Sequence, residues 1–422
     1  MYRVASARAI ASVVSATIRG RGPAANRTVV LLGLTSMLTD ISSEMVAAIL
    51  PIYLVFGLQL SPVYYGFVDG LYQGVPVLVR TASGFVGDRS GRLKDVAVVG
   101  YGISALSRAF LLIVQGPWTL LAGIVALDRF GKGIRTAPRD AMISLASDPR
   151  TLASSFGLHR AMDTFGAMIG PLIAFALLMA VPRGFDAVFM VSFLVAIVGV
   201  AVIAGFVHEP RRVAPETGPA PSTPSFLTAL RVVLRGPSAR VLAAGTLLGL
   251  ATVSDSFLYL ILAEERALDP QLFPLLFFGT ALVYMLLAVP MGVIADRTGR
   301  RTTFLLGYVL LGGAYAVAAA PAPTALAAIA TIVLLGAYYA MTDGVLAAIA
   351  SRTLPPHLRA TGLGVVMTGV GLARLASSVA FGAAWTLIGP EAALVIFGGG
   401  LVLAVIAAMA ILGRFAENAV DV

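Results

Sequence analysis

The chain has 422 residues, of which 58% are apolar and only 12% charged, with a formal net charge of +9. A soluble domain is typically about 45–50% apolar and about 25% charged, so too few charges are present to cover a water-exposed surface, and the lateral surface is expected to face lipid. The lack of cysteine excludes disulfides and thiolate metal sites, and the basic residues, scattered between apolar runs, read as topology signals and not as a groove for nucleic acid.

A membrane span needs roughly 20 apolar residues. The pattern predicts an all-α membrane protein of twelve helices, near 29–56, 62–84, 95–115, 118–141, 157–180, 186–207, 239–263, 272–295, 302–320, 323–349, 358–386 and 392–413. Residues 1–28 read as a basic cytoplasmic tail, because charge breaks the apolar stretch that a cleavable signal would need. Most connections are short. The exception is 209–238, which is long, polar and holds Pro210, Pro215, Pro219, Pro221, Pro224 and Pro237. Such a segment cannot bury enough apolar surface to fold alone and is expected to stay extended. It would link an N-terminal six-helix bundle, 29–208, to a C-terminal one, 239–413, with 414–422 as a second cytoplasmic tail.

Charge orients the bundle. With the N-terminus inside, the cytoplasmic connections carry Arg89, Arg92, Lys94, Arg139, Arg150, Arg211, Arg212, Arg231, Arg235, Arg240, Arg297, Arg300, Arg301, Arg352 and Arg359, followed by Arg414. The opposite connections carry only Arg183 and Arg266. This positive-inside asymmetry favours an even number of spans with both termini in the cytoplasm.

The two halves repeat each other. Gly84-Phe-Val-Gly-Asp88-Arg89-Ser-Gly91-Arg92-Leu93-Lys94 follows the second span, and Gly292-Val-Ile-Ala-Asp296-Arg297-Thr-Gly299-Arg300-Arg301 follows the eighth. Their first glycines are 292 − 84 = 208 residues apart, close to half of 422. Glycine permits a tight turn and close helix approach. An Asp at a helix end can accept bonds from a neighbouring helix N-terminus or an Arg. The pattern resembles the signature loop of the major facilitator superfamily. In the first copy Leu93 replaces a basic residue and Lys94 follows it. The resemblance implies a conformational gating role for Gly84, Asp88, Arg89, Gly91 and Arg92 and for Gly292, Asp296, Arg297, Gly299, Arg300 and Arg301.

Two further stretches extend the likeness. Leu127-Asp128-Arg129-Phe130-Gly131-Lys132-Gly133 resembles the superfamily motif of helix four, with Lys132 where Gln is usual. An Arg about ten residues inside a span is costly unless paired or wet. Asp128 points about 100° away around the helix, so it is not an ideal partner for Arg129. In the fifth span, the spacing of Gly157, Gly166 and Gly170-Pro171 resembles the antiporter motif, which in the superfamily marks proton-driven exporters. Ala174-Phe175 stands where that motif closes on two glycines. Leu38-Thr-Asp40-Ile-Ser42-Ser43-Glu44-Met45, Gly131 to Asp140 and Pro355 to Thr361 resemble a bacterial subgroup of uncharacterised facilitator permeases.

Intramembrane ionisable residues are the candidate machinery. Asp40 lies about 11 residues into the first span, roughly 16 Å deep. Glu44 is one turn further along the same face. Two carboxylates at that spacing repel, so one is expected to be protonated, cation-paired or in contact with water, as a proton-coupling site needs. Asp69, Asp128, Arg129, Asp255, Asp343 and Arg374 complete the set. Asp40–Arg129 and Asp255–Arg374 are expected pairs, which could equally be static locks.

The combined expectation is a secondary transporter of the major facilitator type in the bacterial plasma membrane. Two six-helix bundles would rock about a midplane site, exporting a small molecule against protons. It is expected to be a monomer, without cofactor, resident metal, nucleic-acid partner or enzymatic activity. An importer or uniporter on the same fold, a metal-cation exporter using oxygen ligands, and a membrane-embedded enzyme or receptor are the rival readings.

Overall fold

A computed structural model of the protein describes residues 27–90, 92–113, 116–147, 152–209, 226–235, 237–265, 268–321, 323–355 and 359–413. All regular structure among them is helical. We number the helices α1 (Arg27–Ile52), α2 (Pro62–Ser90), α3 (Leu93–Ile113), α4 (Trp118–Ala146), α5 (Leu152–Ala180), α6 (Phe185–Phe206), α7 (Phe226–Arg235), α8 (Ser238–Leu250), α9 (Asp255–Glu265), α10 (Phe273–Thr298), α11 (Arg300–Ala319), α12 (Thr324–Thr342), α13 (Val345–Arg352), α14 (Arg359–Ile388) and α15 (Pro390–Gly413). Ten described segments are long and apolar enough to cross a membrane. The count of twelve is reached only by adding α2 and α4, which are long enough but are not among those ten.

The chain divides into two compact units. One comprises Met1–Leu58, Leu78–Gly218 and Asp269–Ala281, the other Gln59–Val77, Pro219–Leu268 and Leu282–Val422. Both expected tails lie almost entirely outside the described residues. Within the linker expected to stay extended, 226–235 form the helix α7.

In the first unit, small residues set how close the helices come. A Cβ at Gly166 or Gly170 of α5 would collide with the backbone carbonyls of Met37 or Ile41 in α1. A Cβ at Gly131 of α4 would lie 2.6 Å from the Gly100 carbonyl oxygen of α3, so these helices touch backbone to backbone. One end of the unit is closed by an apolar cluster that includes Leu32, Leu93, Tyr101, Met142 and Ile203. Beyond Pro51, α1 continues as a single π-helical turn over Tyr53–Gly57. Proline lacks the amide hydrogen that the regular ladder uses.

In the second unit, Gly66, Gly70 and Gly74 form one stripe of α2 seated on Leu375 and Ser378 of α14. Tyr65, Phe257 and Phe381 stack edge to face behind that seam, with centroids 5.0 and 4.9 Å apart. Two predicted spans are interrupted. The seventh breaks between α8 and α9, and the tenth between α12 and α13, at Gly344 with φ 77°. At the first break Tyr315 of α11 supplies the missing backbone partners. Its hydroxyl accepts from Val253 N at 2.6 Å and donates to Ala251 O at 3.1 Å. Ser377 of α14 donates to Thr252 O at 2.8 Å. Unwound backbone in a bilayer persists only where such partners exist.

Candidate functional site

The interior of the first unit holds a charged network carried by α1, α3, α4 and α5. Asp128 bonds both its neighbour Arg129 and Arg108 of α3, the latter at 3.1 Å. Asp128 is therefore Arg129's partner, against expectation. The Cα–Cβ bonds diverge by about 100°, but the long guanidinium side chain folds back, with Nε 2.8 Å from Asp128 Oδ2. Arg108 is almost fully buried and also donates to Ser43 Oγ at 2.7 Å.

Asp40 pairs with Arg135 of α4 at 3.6 Å, not with Arg129. The choice follows from helix geometry, because Arg129 is already held by Asp128. The Arg135 guanidinium lies 4.6 Å from the centre of the Tyr101 ring, a cation–π contact. Arg139 is buried and contacts Asp140 at 2.9 Å and Ser36 Oγ at 2.9 Å, so it belongs to α4 and not to a polar connection. Ser36 also meets Tyr101 Oη at 3.0 Å and His159 Nε2 at 3.1 Å, which binds α1, α3, α4 and α5 at one hydroxyl. His159 is thereby placed in the interior.

Glu44 stands apart. Among the described residues no hydrogen bond or ion pair reaches its carboxylate. Its charged neighbours are Lys132, Asp40, Arg129 and Asp128. A Cβ at Gly170 would lie 3.0 Å from Glu44 Cβ, so this helix-five glycine presses on the turn of α1 that carries Glu44. Gly166 seats one turn earlier, on Met37 of α1, whereas Gly157 faces open space. Pro171 lies inside α5.

The second unit carries a separate acidic centre. Asp69 of α2 accepts from Ser254 Oγ at 3.1 Å, from Gln73 Nε2 at 3.4 Å and from Ser378 Oγ. Asp255 opens α9 immediately after the break and accepts from Ser256 N at 3.1 Å. Arg374 does not pair with Asp255; its Nη2 donates to Tyr338 Oη at 3.1 Å. Asp343 is exposed at the second break and accepts from Tyr284 Oη at 3.3 Å.

The repeated loop is described only in part. Gly84, Asp88 and Arg89 fall in α2 with their side chains outside the description, and Gly91 lies outside the described residues. Arg92 pairs with Asp95 at 2.7 Å. In the second copy Gly292 has open space around it, Gly299 has φ 105° and caps α11, and Arg300 binds Asp296 at 2.6 Å. Arg297 is exposed in the last turn of α10. Arg301 donates to Met409 O in the last turns of α15 at 2.8 Å, and Lys94 donates to Ala204 O of α6 at the same distance. Lys94 thus makes the contact of Arg301, and the shifted basic residue of the first copy is conservative in space.

The family model described as Major Facilitator Superfamily matches residues 32–261 and 251–420. The chain belongs to the major facilitator superfamily. It is a multi-pass membrane transporter of that superfamily. An uncharacterised MFS-type transporter of Methanocaldococcus jannaschii is 31% identical over 404 residues, 92% of this chain and 94% of that protein. The multidrug resistance protein MdtH of Photorhabdus laumondii is 29% identical over 138 residues, 33% of this chain and 34% of its own. Among solved structures, a mutant of the nucleoside transporter NupG superposes with a TM-score of 0.79 at 14% identity, covering 91% of this chain and 99% of that one. That likeness shows the superfamily fold alone.

Sequence reasoning passed over Arg108, Arg135 and Asp163 of α5, whose carboxylate lies 3.9 Å from Arg139. Arg108 sits in the middle of a predicted span, so the rule that flags intramembrane charge reaches it. Arg135 and Asp163 lie toward span ends, where a charge reads as interfacial.

Proposed function

We propose that this superfamily member exports a small molecule in exchange for protons by alternating access, with both termini in the cytoplasm. The observation that carries the reading is the Glu44 carboxylate, which has no hydrogen bond or ion pair among the described residues while Asp40 and Asp128 beside it are engaged by arginines. An acid held in a bilayer without a fixed counter-ion is a group that can take up and release a proton during a cycle. Asp40 and Glu44 carry the proton in this scheme. Arg129, locked by Asp128, supplies fixed positive charge nearby. Export is supported by the seating of Gly166 and Gly170 on successive turns of α1, the second of which carries Glu44, and by the partial match to a protein named for multidrug resistance. Asp69 and Asp255 form a second polar station, while the repeated loops act as gating straps.

The test uses everted membrane vesicles energised to an acid interior, with a pH-sensitive dye and a panel of drugs, metals and metabolites. An exported substrate dissipates the gradient when added. The Glu44→Gln protein is expected to leave the gradient intact with the same substrate. Dissipation that persists undiminished in Glu44→Gln would remove the carboxylate from the coupling scheme.

A further inference from the structure

The helix α7 and the start of α8 present a pattern that transport of a solute does not use. Along α8, Ala239, Leu242, Thr246 and Leu250 lie on one face, and with Leu234 of α7 and Gly369 of α14 they line an open apolar groove of about 530 Å³. From Ala239 to Leu250 the face runs roughly 16 Å. Gly369 keeps the groove narrow, because a Cβ there would lie 2.5 Å from Leu242 Cδ1. The wall is therefore long, shallow and apolar, matching an extended acyl chain.

One end of the groove is basic. Arg231 and Arg235 of α7 and Arg240 of α8 are all exposed. Val233 of α7 is buried, while its neighbour Leu234 is 54% exposed beside Arg235. Val233 thus faces the unit, while Leu234 and the two arginines are turned outward. That is the arrangement of a helix lying in the headgroup layer, where apolar side chains dip toward the acyl region and arginines meet phosphate.

We propose that the α7–α8 corner is a binding site for an anionic phospholipid, with an acyl chain in the groove along α8 and the phosphate headgroup at Arg231, Arg235 and Arg240. The charge complementarity selects an anionic lipid over a zwitterionic one. The groove makes the contact a seated lipid, distinct from a diffuse cloud over a basic surface. Each arginine near an anionic surface is worth about fivefold in affinity.

The purified full chain, in detergent, is offered equal amounts of phosphatidylglycerol and phosphatidylcholine, and retained lipid is counted by native mass spectrometry. The expected result is selective retention of phosphatidylglycerol. The triple variant Arg231→Gln, Arg235→Gln, Arg240→Gln is expected to lose at least about tenfold of that selectivity. Ala243 also lines the groove, and Ala243→Phe, which fills it and keeps the arginines, lowers retention of both lipids. Arg352→Gln, an exposed arginine elsewhere, leaves the pattern as it was. Equal retention of the two lipids by the unaltered protein overturns the proposal. So does selectivity that survives the triple variant, or retention that Ala243→Phe does not change. Size-exclusion profiles of the variants separate misfolding from lost binding.

Discussion

Asp69 and Asp255 share a single hydroxyl. Ser254 Oγ lies 3.1 Å from Asp69 Oδ1 and 3.5 Å from Asp255 Oδ1, and its one hydrogen can serve only one of them at a time. Asp69 draws its other donors from Ser378 and Gln73, none of which is charged. Replacing Asp69 by Ala would leave these donors buried without their acceptor, at a cost of about 1–3 kcal/mol. The melting temperature of the purified protein should fall accordingly, and Asp69→Asn, which keeps one acceptor oxygen, should recover part of the loss.

Glu44→Gln preserves shape and removes the titratable group. Proton-driven accumulation in everted vesicles is expected to fall to the level of vesicles lacking the protein. Substrate counterflow, which needs no net proton movement, should persist. Equal loss of both activities would point to a substrate contact in place of proton coupling.

The two ends of the helix-five motif should respond differently to substitution. Gly170→Val forces side-chain atoms against Ile41 O, 2.6 Å from the position of a Cβ, and against Glu44. Such overpacking typically costs about 1–3 kcal/mol, and it displaces the turn that carries the carboxylate. Transport should be lost and the melting temperature lowered. Gly157→Ala enters open space and should leave both near the unaltered values.

Tyr315→Phe removes the hydroxyl that bridges the seventh-span break. Val253 N and Ala251 O would each lose a partner, for a loss of about 1–3 kcal/mol. Hydrogen exchange should quicken at Val253 in the variant, while exchange within α4 stays as before. Unchanged protection at Val253 would contradict the bridging role.

Asp128→Ala leaves Arg108 and Arg129 without the carboxylate that both contact. Removing one member of a buried pair costs about 3–5 kcal/mol, so this should be the most damaging of these changes in a thermal melt.

Legibility in the sequence followed the physics of each feature. The spans were readable because a bilayer demands long apolar runs, and the repeat because backbone turns need glycine at fixed places. The break at Gly344 had a local signal in its glycine. The break at Ala251 to Ser254 had none, because it is held open by Tyr315 and Ser377 from distant helices. Pairing failed for the same reason. Whether Asp40 meets Arg129 or Arg135 depends on how α1 crosses α4, and no spacing along one chain encodes a crossing. The reach of an arginine also defeated the angular argument at Asp128 and Arg129.

Lys94 and Arg301 each tie the first turn of one helix to the closing turns of another in the same unit, α3 to α6 and α11 to α15. A row of helices has two loose ends; a row stitched in this way becomes a loop. Each unit is therefore fastened within itself, by one basic side chain that closes its row of helices on a single carbonyl.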